Sequence, residues 1–434
     1  MTNYFSKIRE TGKGLVRKLR EIGVFSVFLS NVLCKVLTFI GGMVIVRVLN
    51  KNDYGAYTYI MNCYGMLILL NDLGCNVATM QSCSEHHKNP EKFNSYFTYG
   101  YRMGMLFSGI TALLIFCSPW FYPFQQEVAA QLTRTLCLMP FLSTTSAFLL
   151  ANLRIRLENH KYALINFLNT GIHYLVILPL SLYFGIQGAV WSNYIITFLV
   201  VMVSLLLSRG NLQYSWTSCH LTGSEKRNFL KLAVASQINN GVDHGLVLLD
   251  VFLIGLFIGN NEIISSYKVS TTIPSALAFI PSSVMVCLIP YFSRRCGDIP
   301  WVRTQYKKVL LLGAAGNSVI TLGGIVLAPW ILPLLFGSQY HDAVPCFQIL
   351  MVGYFFSATF RMPTANILYT QRRVRDNISI TFSSGICNCI LDVVLIMVLG
   401  SIGAAIATTL VHIFNSALSL FFMHKYLRGQ ENTI

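Results

Sequence analysis

Charge is scarce in this chain. Only 11% of its residues are Asp, Glu, Lys or Arg, where a soluble domain carries about 25%. That deficit excludes a surface built to face water. No GxxxxGK[ST] pattern occurs; Gly12-Lys13-Gly14 is a fragment of it, so ATP is not hydrolysed by that route. The twelve cysteines form no CxxC pair and no Cys/His ligand spacing. Most lie in apolar stretches, where cysteine is a small apolar residue, and neither a disulfide framework nor a zinc site is supported. No nucleophile elbow is present. The expectation is therefore a protein that is not an enzyme and carries no cofactor or metal.

What fills the chain instead is apolar sequence, 54% of it. A transmembrane helix needs about 20 mostly apolar residues. Such runs fall at 25–48, 57–80, 95–117, 129–151, 162–184, 186–208, 229–257, 263–290, 309–336, 343–369, 377–399 and 402–423. They do not alternate as barrel strands do. The predicted class is an all-α membrane protein of twelve transmembrane helices.

The bases test this reading. With the N-terminus inside, 25 of the 32 bases fall on cytoplasmic segments, from Lys7 and Arg9 to Lys425 and Arg428. Only Arg47 and Lys51 fall outside. This is the positive-inside bias, and it predicts both termini in the cytoplasm of a bacterial inner membrane. The net charge of +15 then needs no nucleic acid as partner; the partner is the bilayer and its anionic headgroups. Residues 1–24 show no cleavage site after the first apolar run, and form either an amphipathic helix on the inner leaflet or a disordered segment.

The chain also repeats. Gly185-Ile186-Gln187-Gly188-Ala189 precedes span six, and Gly400-Ser401-Ile402-Gly403-Ala404 precedes span twelve, 215 positions on. Ala151-Asn152 matches Ala365-Asn366, and Asn52-Asp53 with Tyr57 matches Asn261-Glu262 with Tyr267. The expected organisation is a basic segment 1–24, an N-lobe 25–208 of spans one to six, a linker 209–228 and a C-lobe 229–425 of spans seven to twelve. Six spans per repeat is even, so the halves are parallel and would enclose a central cavity.

Five bases lie within spans, inward of their edge residues: Lys35, Arg102, Arg134, Lys268 and Arg361. Each costs roughly 2.5–3.5 kcal/mol at a helix centre. Lys35, with Asn31 one turn earlier, is either a cavity cation for an anionic substrate or the partner of a buried acid such as Asp72 or Asp243. Arg361 offers a planar fork for phosphate, or pairs with backbone freed by Pro363. Arg102 and Arg134 lie near span ends and are able to snorkel; Lys268 sits on span eight, which Pro274, Pro281 and Pro290 kink. The acids Asp243, Asp250, Asp72 and Asp392 are candidates for proton or sodium coupling, or for neutral interhelical packing. Asn239, Asp243, Leu246 and Asp250 share a face, as do Ser384, Asn388 and Asp392. His173 and His412 read as packing residues.

Several motifs carry a resemblance. Arg47-Val48-Leu49 with Asp53-Tyr54-Gly55-Ala56-Tyr57, then Asp72-Leu73-Gly74, the starts of spans six and twelve, and Ile289-Pro290-Tyr291 resemble the bacterial polysaccharide transporters. These are O-antigen (lipid-linked oligosaccharide) flippases of the multidrug/oligosaccharidyl-lipid/polysaccharide superfamily. The resemblance implies two six-helix lobes around a cationic cavity. It implies a polyprenyl-diphosphate-linked oligosaccharide as cargo, moved outward by alternating access, with polysaccharide polymerase machinery as a possible partner. Bases on spans one and eight take the diphosphate in related flippases, which singles out Lys35 and Lys268. The alternative is a cation-coupled multidrug antiporter of the same superfamily, which the acids favour and the bases oppose. A polymerase or glycosyltransferase is opposed by the lack of a large external loop, and a scaffold by the cost of the buried charges.

Reporter fusions test the orientation. A fusion at Asn211 is expected to report cytoplasm and one at Gln125 periplasm; the same compartment for both refutes the topology.

Overall fold

The computed structural model describes residues 24–120, 127–208 and 221–429, and only the backbone at 24–29, 31, 127, 128, 208, 239, 240, 242, 243 and 429. The proposed amphipathic segment and most of the linker lie outside these residues. Every regular element among the described residues is helical. The helices are α1 (Val24–Val48), α2 (Lys51–Ile68), α3 (Cys75–Glu85), α4 (Pro90–Cys117), α5 (Glu127–Thr135), α6 (Met139–Ile155), α7 (Asn159–Ser208), α8 (Gly223–Phe257), α9 (Asn261–Leu277), α10 (Phe279–Arg294), α11 (Ile299–Phe336), α12 (Val344–Phe356), α13 (Met362–Thr370) and α14 (Val374–Gly429).

Seven helices among the described residues are long and apolar enough to cross a membrane. Two of them are double. α7 breaks at Gly185 (φ 57°, ψ −137°) and folds back, so that Lys161 Nζ near its start reaches the carbonyl of Leu207 near its end. α14 breaks in the same way at Gly400 (φ 64°, ψ −138°), and Tyr426 near its end bonds Gln371 just before its start. Only glycine adopts that backbone region without strain. Three residues on, the match continues. A Cβ on Gly188 would lie 1.9 Å from the carbonyl oxygen of Leu180, and one on Gly403 1.9 Å from that of Leu395. The repeat read in the sequence is thus a repeated helical hairpin closed backbone to backbone. With each limb counted, the helices are consistent with twelve spans.

The side chains facing outward fit a lipid solvent. Along α11, Leu311, Leu312, Val319, Leu322, Val326 and Trp330 are all at least 63% exposed, a stripe that water would not tolerate.

The chain forms two compact units, residues 1–49 with 63–241, and residues 50–62 with 242–434. Two of the three borders cut through a helix, α2 after Asn62 and α8 after Gly241, and the third falls between α1 and α2. In the first unit, Cys75, Ala78, Tyr96, Phe97, Phe148 and Phe229 head a core shared by α3, α4, α6 and the start of α8. α8 opens with a capping box: the Thr222 amide donates to Glu225 at 2.9 Å and the Glu225 amide to the Thr222 hydroxyl at 3.3 Å. The Lys92 ammonium, 2.8 Å away, and these Thr222 donors pull the Glu225 carboxyl down to about 2. α1 lies on α7 through Ser30, Cys34, Thr38 and Gly41, where a Cβ would enter the Tyr174 ring.

In the second unit, Met285, Phe292, Val302, Ile367, Ile380 and Met423 build a core between α10, α11, α13 and α14. Gln371 seals it, donating to the Phe292 carbonyl and accepting from Tyr426 and the Gly297 amide.

Alanine at Gly185 or Gly400 is expected to cost about 1–3 kcal/mol through backbone strain. Alanine at Gly188 or Gly403 is expected to do similar damage through the carbonyl clash. Melting of the four purified variants in detergent checks this; unchanged melting temperatures refute the hairpin closure.

Candidate functional site

Polar groups within α8, α9, α12 and α14 converge inside the second unit. They line a cavity of about 390 Å³ whose walls include Asp250, Tyr267, Lys268, Arg361, Thr408 and His412. Leu246, Val247, Pro274 and Leu350 supply the apolar part of the lining.

One wall is acidic. Asp250 Oδ2 accepts two hydrogen bonds, from the Tyr267 hydroxyl at 2.5 Å and the Thr408 hydroxyl at 2.7 Å. Asp392, fully buried, accepts from Asn388 Nδ2 at 2.8 Å. The carboxyls of Asp250 and Asp392 lie close enough to interact directly. Among the described residues no donor reaches Asp392 Oδ1 or the buried Ser384 hydroxyl. Buried oxygens without a donor cost about 1–3 kcal/mol each. An oxygen-only cluster with spare lone pairs suits a proton shared between the carboxyls or a hard cation such as Na+. No cluster of three or more His, Cys, Asp or Glu occurs among the described residues.

The opposite chemistry is present as well. Lys268 lines the cavity, and its ammonium meets no hydrogen-bond or ion-pair partner among the described residues. Arg361 ends a π-helical turn, Ser357–Arg361, two residues before Pro363. Such widened turns re-aim a side chain. Its guanidinium donates to Asn377 Oδ1 at 3.4 Å and Thr381 Oγ1 at 3.2 Å, and His412 stands in its field.

Of the sequence candidates, this cavity gathers Lys268, Arg361 and Asp250, with Asp392 behind them. Lys35, Arg102, Arg134 and Asp72 belong to the first unit. Lys35 is exposed on α1, off the face that packs on α7. Arg102 is exposed on α4. Arg134 lies in the last turn of α5 and stacks over the Trp120 ring at 5.4 Å, a cation–π contact at a span end. Asp72 sits in a 3₁₀ turn that breaks span two (φ 48°) and accepts from the Gly74 amide at 2.9 Å. Its geometry is that of a turn residue. The side chain of Asp243 lies outside the described residues.

Tyr267 and Thr408 carry no site role in the sequence reading, and His412 is there a packing residue. The available signal is spacing: Thr408 follows Asp392 by 16 residues across the Gly400 turn.

Residues 44–345 match the profile of a family described as polysaccharide biosynthesis protein. The chain is 28% identical over 170 residues to the lipopolysaccharide biosynthesis protein WzxC of Escherichia coli K12, covering 38% of this chain and 33% of that one. It is 28% identical over 190 residues to an uncharacterized membrane protein of Methanocaldococcus jannaschii, covering 42% and 36%. The chain thus spans about a third of the length of the curated relatives it matches. Among solved structures it resembles the lipid II flippase MurJ in an inward closed conformation (TM-score 0.74, 13% identity, 92% of this chain and 87% of that one). It also resembles an inward-facing multidrug resistance transporter of the MATE family, in the MOP superfamily (TM-score 0.73, 13% identity, 92% and 96%). At these identities the likeness shows a shared fold.

Asp392→Asn keeps an acceptor for Asn388 and turns the orphaned oxygen into a donor. In ion-free detergent it is expected to melt above wild type, and to lose any rise in melting temperature that Na+ or acid gives wild type. A lower melting point with the ion response intact refutes the acid pair.

Proposed function

Because the chain belongs to the polysaccharide biosynthesis protein family, we propose that it is a flippase. Its cargo is a polyprenyl-diphosphate-linked oligosaccharide, the repeat unit of an O-antigen or similar surface polysaccharide. It carries that unit from the cytoplasmic to the periplasmic leaflet of the inner membrane by alternating access, with both termini in the cytoplasm and without making or breaking a covalent bond. The observation that carries this reading is one cavity holding two bases beside an acid pair.

The chemistry divides between the two walls. A diphosphate does not enter hydrocarbon unaided, so its carrier needs buried cations. Lys268 supplies a point charge and Arg361 a fork able to take two oxygens. The prenyl chain stays in lipid while the headgroup crosses. Asn388, Thr381, Ser384 and Asn415, which also line the cavity, offer hydrogen bonds to sugar hydroxyls. The six-helix lobes read from the repeat are the bodies that rock.

Without an ATP motif, direction comes from an ion, from membrane potential or from use of the cargo outside. The co-transported ion is a proton or Na+, held by Asp250 and Asp392 with Thr408 and Asn388. Asp243 remains a candidate for the same task. The alternative, a cation-coupled multidrug antiporter, uses the acids equally well. Lys268 and Arg361 oppose it by repelling a cationic cargo.

Headgroup translocation in proteoliposomes tests the reading. Lys268→Ala and Arg361→Ala are each expected to lower translocation of the lipid-linked oligosaccharide about tenfold or more, the worth of one charge-assisted hydrogen bond. Lys268→Arg should keep part of it. Export of a cationic dye by wild type, with no oligosaccharide movement, establishes the antiporter instead.

A further inference from the structure

We propose that Tyr267 is the positioning residue through which the acid pair governs both the cargo cation Lys268 and the closure of the outer end of span two. The proposal rests on the flippase reading and its coupling ion.

Four consecutive residues of α9 carry the argument. The Ser265 hydroxyl pairs with Tyr340 at 2.9 Å, wholly buried. Ser266 Oγ donates to Asp342 Oδ2 at 2.8 Å. Tyr267 donates to Asp250. Lys268 lines the cavity. One helical turn holds 3.6 residues, so these side chains point in four directions from a single stiff turn. Whatever moves one moves all.

Asp342 and Tyr340 hold more than α9. Lys51, the first residue of α2, binds Asp342 at 2.8 Å. It also donates to the Gln339 carbonyl at 3.0 Å and stands over the Tyr340 ring at 5.6 Å. Its side chain is only 15% exposed. Two glycines let the rest of this helix end seat closely. A Cβ on Gly55 would lie 1.8 Å from the carbonyl oxygen of Asn261, the first residue of α9, and one on Gly255 of α8 would lie 2.0 Å from the Tyr59 ring. Residues 50–62 accordingly belong to the second unit, although α2 continues into the first. The Lys51–Asp342 pair is the latch on that docked end, on the periplasmic side of the proposed topology.

The link to the ion is competition for one oxygen. Asp250 Oδ2 already takes two donors. A cation arriving between the carboxyls claims lone pairs on that oxygen, and a proton there turns the acceptor into a donor. Either loosens the Tyr267 hydroxyl, which is buried with Asp250 as its acceptor. Among the described residues, the charged and titratable groups around the pair include Tyr267 and Lys268 on α9, Tyr354 and Arg361 from span ten, Cys389 from span eleven and His412 from span twelve. Asp243 shares α8, its side chain undescribed. Slack for the movement lies at Pro274, which deprives the Ser270 carbonyl of its helical donor. Above it, Ser270, Thr271 and Thr272 bond the carbonyls of Tyr267 and Lys268, so the turn above the proline moves as one piece.

The test reads the latch rather than transport. Ala56, 2% exposed in the docked end, is replaced by Cys, and labelling by a membrane-impermeant maleimide is followed from outside, against the parent chain as background. The rate is measured across a Na+ titration at fixed pH and a pH titration at fixed Na+. With Tyr267 present, one of the two should change the rate about tenfold, within the usual range of coupling factors. Tyr267→Phe should flatten that response, and Lys51→Ala should raise the rate under every condition. Ser266→Ala leaves the tyrosine and both acids intact; it should flatten the labelling response while the ion still raises the melting temperature. A response of wild-type size in either Tyr267→Phe or Ser266→Ala overturns the proposal. Labelling that ignores both ions with Tyr267 in place overturns the coupling reading itself, while cargo recognition by Lys268 and Arg361 is decided separately by the translocation assay.

Discussion

In hydrocarbon a polar group finds a partner within the chain or goes without, and that constraint organises this molecule. It sets where helices break. Span two is interrupted after Ile68, and Gln237 of α8 donates to the exposed carbonyl of Leu69. Asn71 in the same break is shared among Ser108, Ser143 and Thr144. The π-helical turn before Pro363 follows the same rule, with Ser416 bonding the carbonyl of Phe356 at its entry. Other buried hydroxyls without a partner among the described residues, such as those of Thr79, Ser181 and Ser204, are scattered, whereas the orphaned oxygens of Asp392, Ser384 and Asn415 and the ammonium of Lys268, which has no partner among the described residues, are grouped. They lie along one cavity wall or just behind it.

The overall class was legible because it depends on composition. Apolar runs and basic loops are properties of segments, and a few misjudged residues do not alter them. The Gly185 and Gly400 turns were legible as a repeated motif, since glycine at fixed spacing leaves a visible mark. The break in span two was not, because Asp72-Leu73-Gly74 sits inside an apolar run without proline. The site was half legible. Depth in the bilayer ranks acids by cost, and by that measure Asp243 leads Asp250. What distinguishes Asp250 is its company, Thr408 on a helix 158 positions later and Asp392 beyond α9 to α13. Partnership at that separation leaves no trace in one sequence. Tyr267 shows the same limit, visible as a repeat marker and invisible as a hydrogen-bond donor.

Under the flippase proposal the two walls of the cavity would need each other for reasons of charge. A diphosphate carried alone would move negative charge against whatever potential the membrane holds, and bare cations would bind it too firmly to release. In the proposed flippase, an acid pair within the same unit that exchanged a small cation would let the field around Lys268 and Arg361 vary between loading and release. The polar but uncharged lining, Asn388, Ser384 and Thr381, tolerates both states.

The glycine hairpins also bear on how the chain enters the membrane. Around Gly185 and Gly400 the two limbs meet with almost nothing between them, and the residues at the tips, Phe184 to Gln187 and Leu399 to Ile402, carry no charge. Each pair can leave the insertion machinery as one preassembled body, its tip crossing the bilayer with little polar freight. Insertion of the last two spans of each half as a pair is the consequence such a closed hairpin would have.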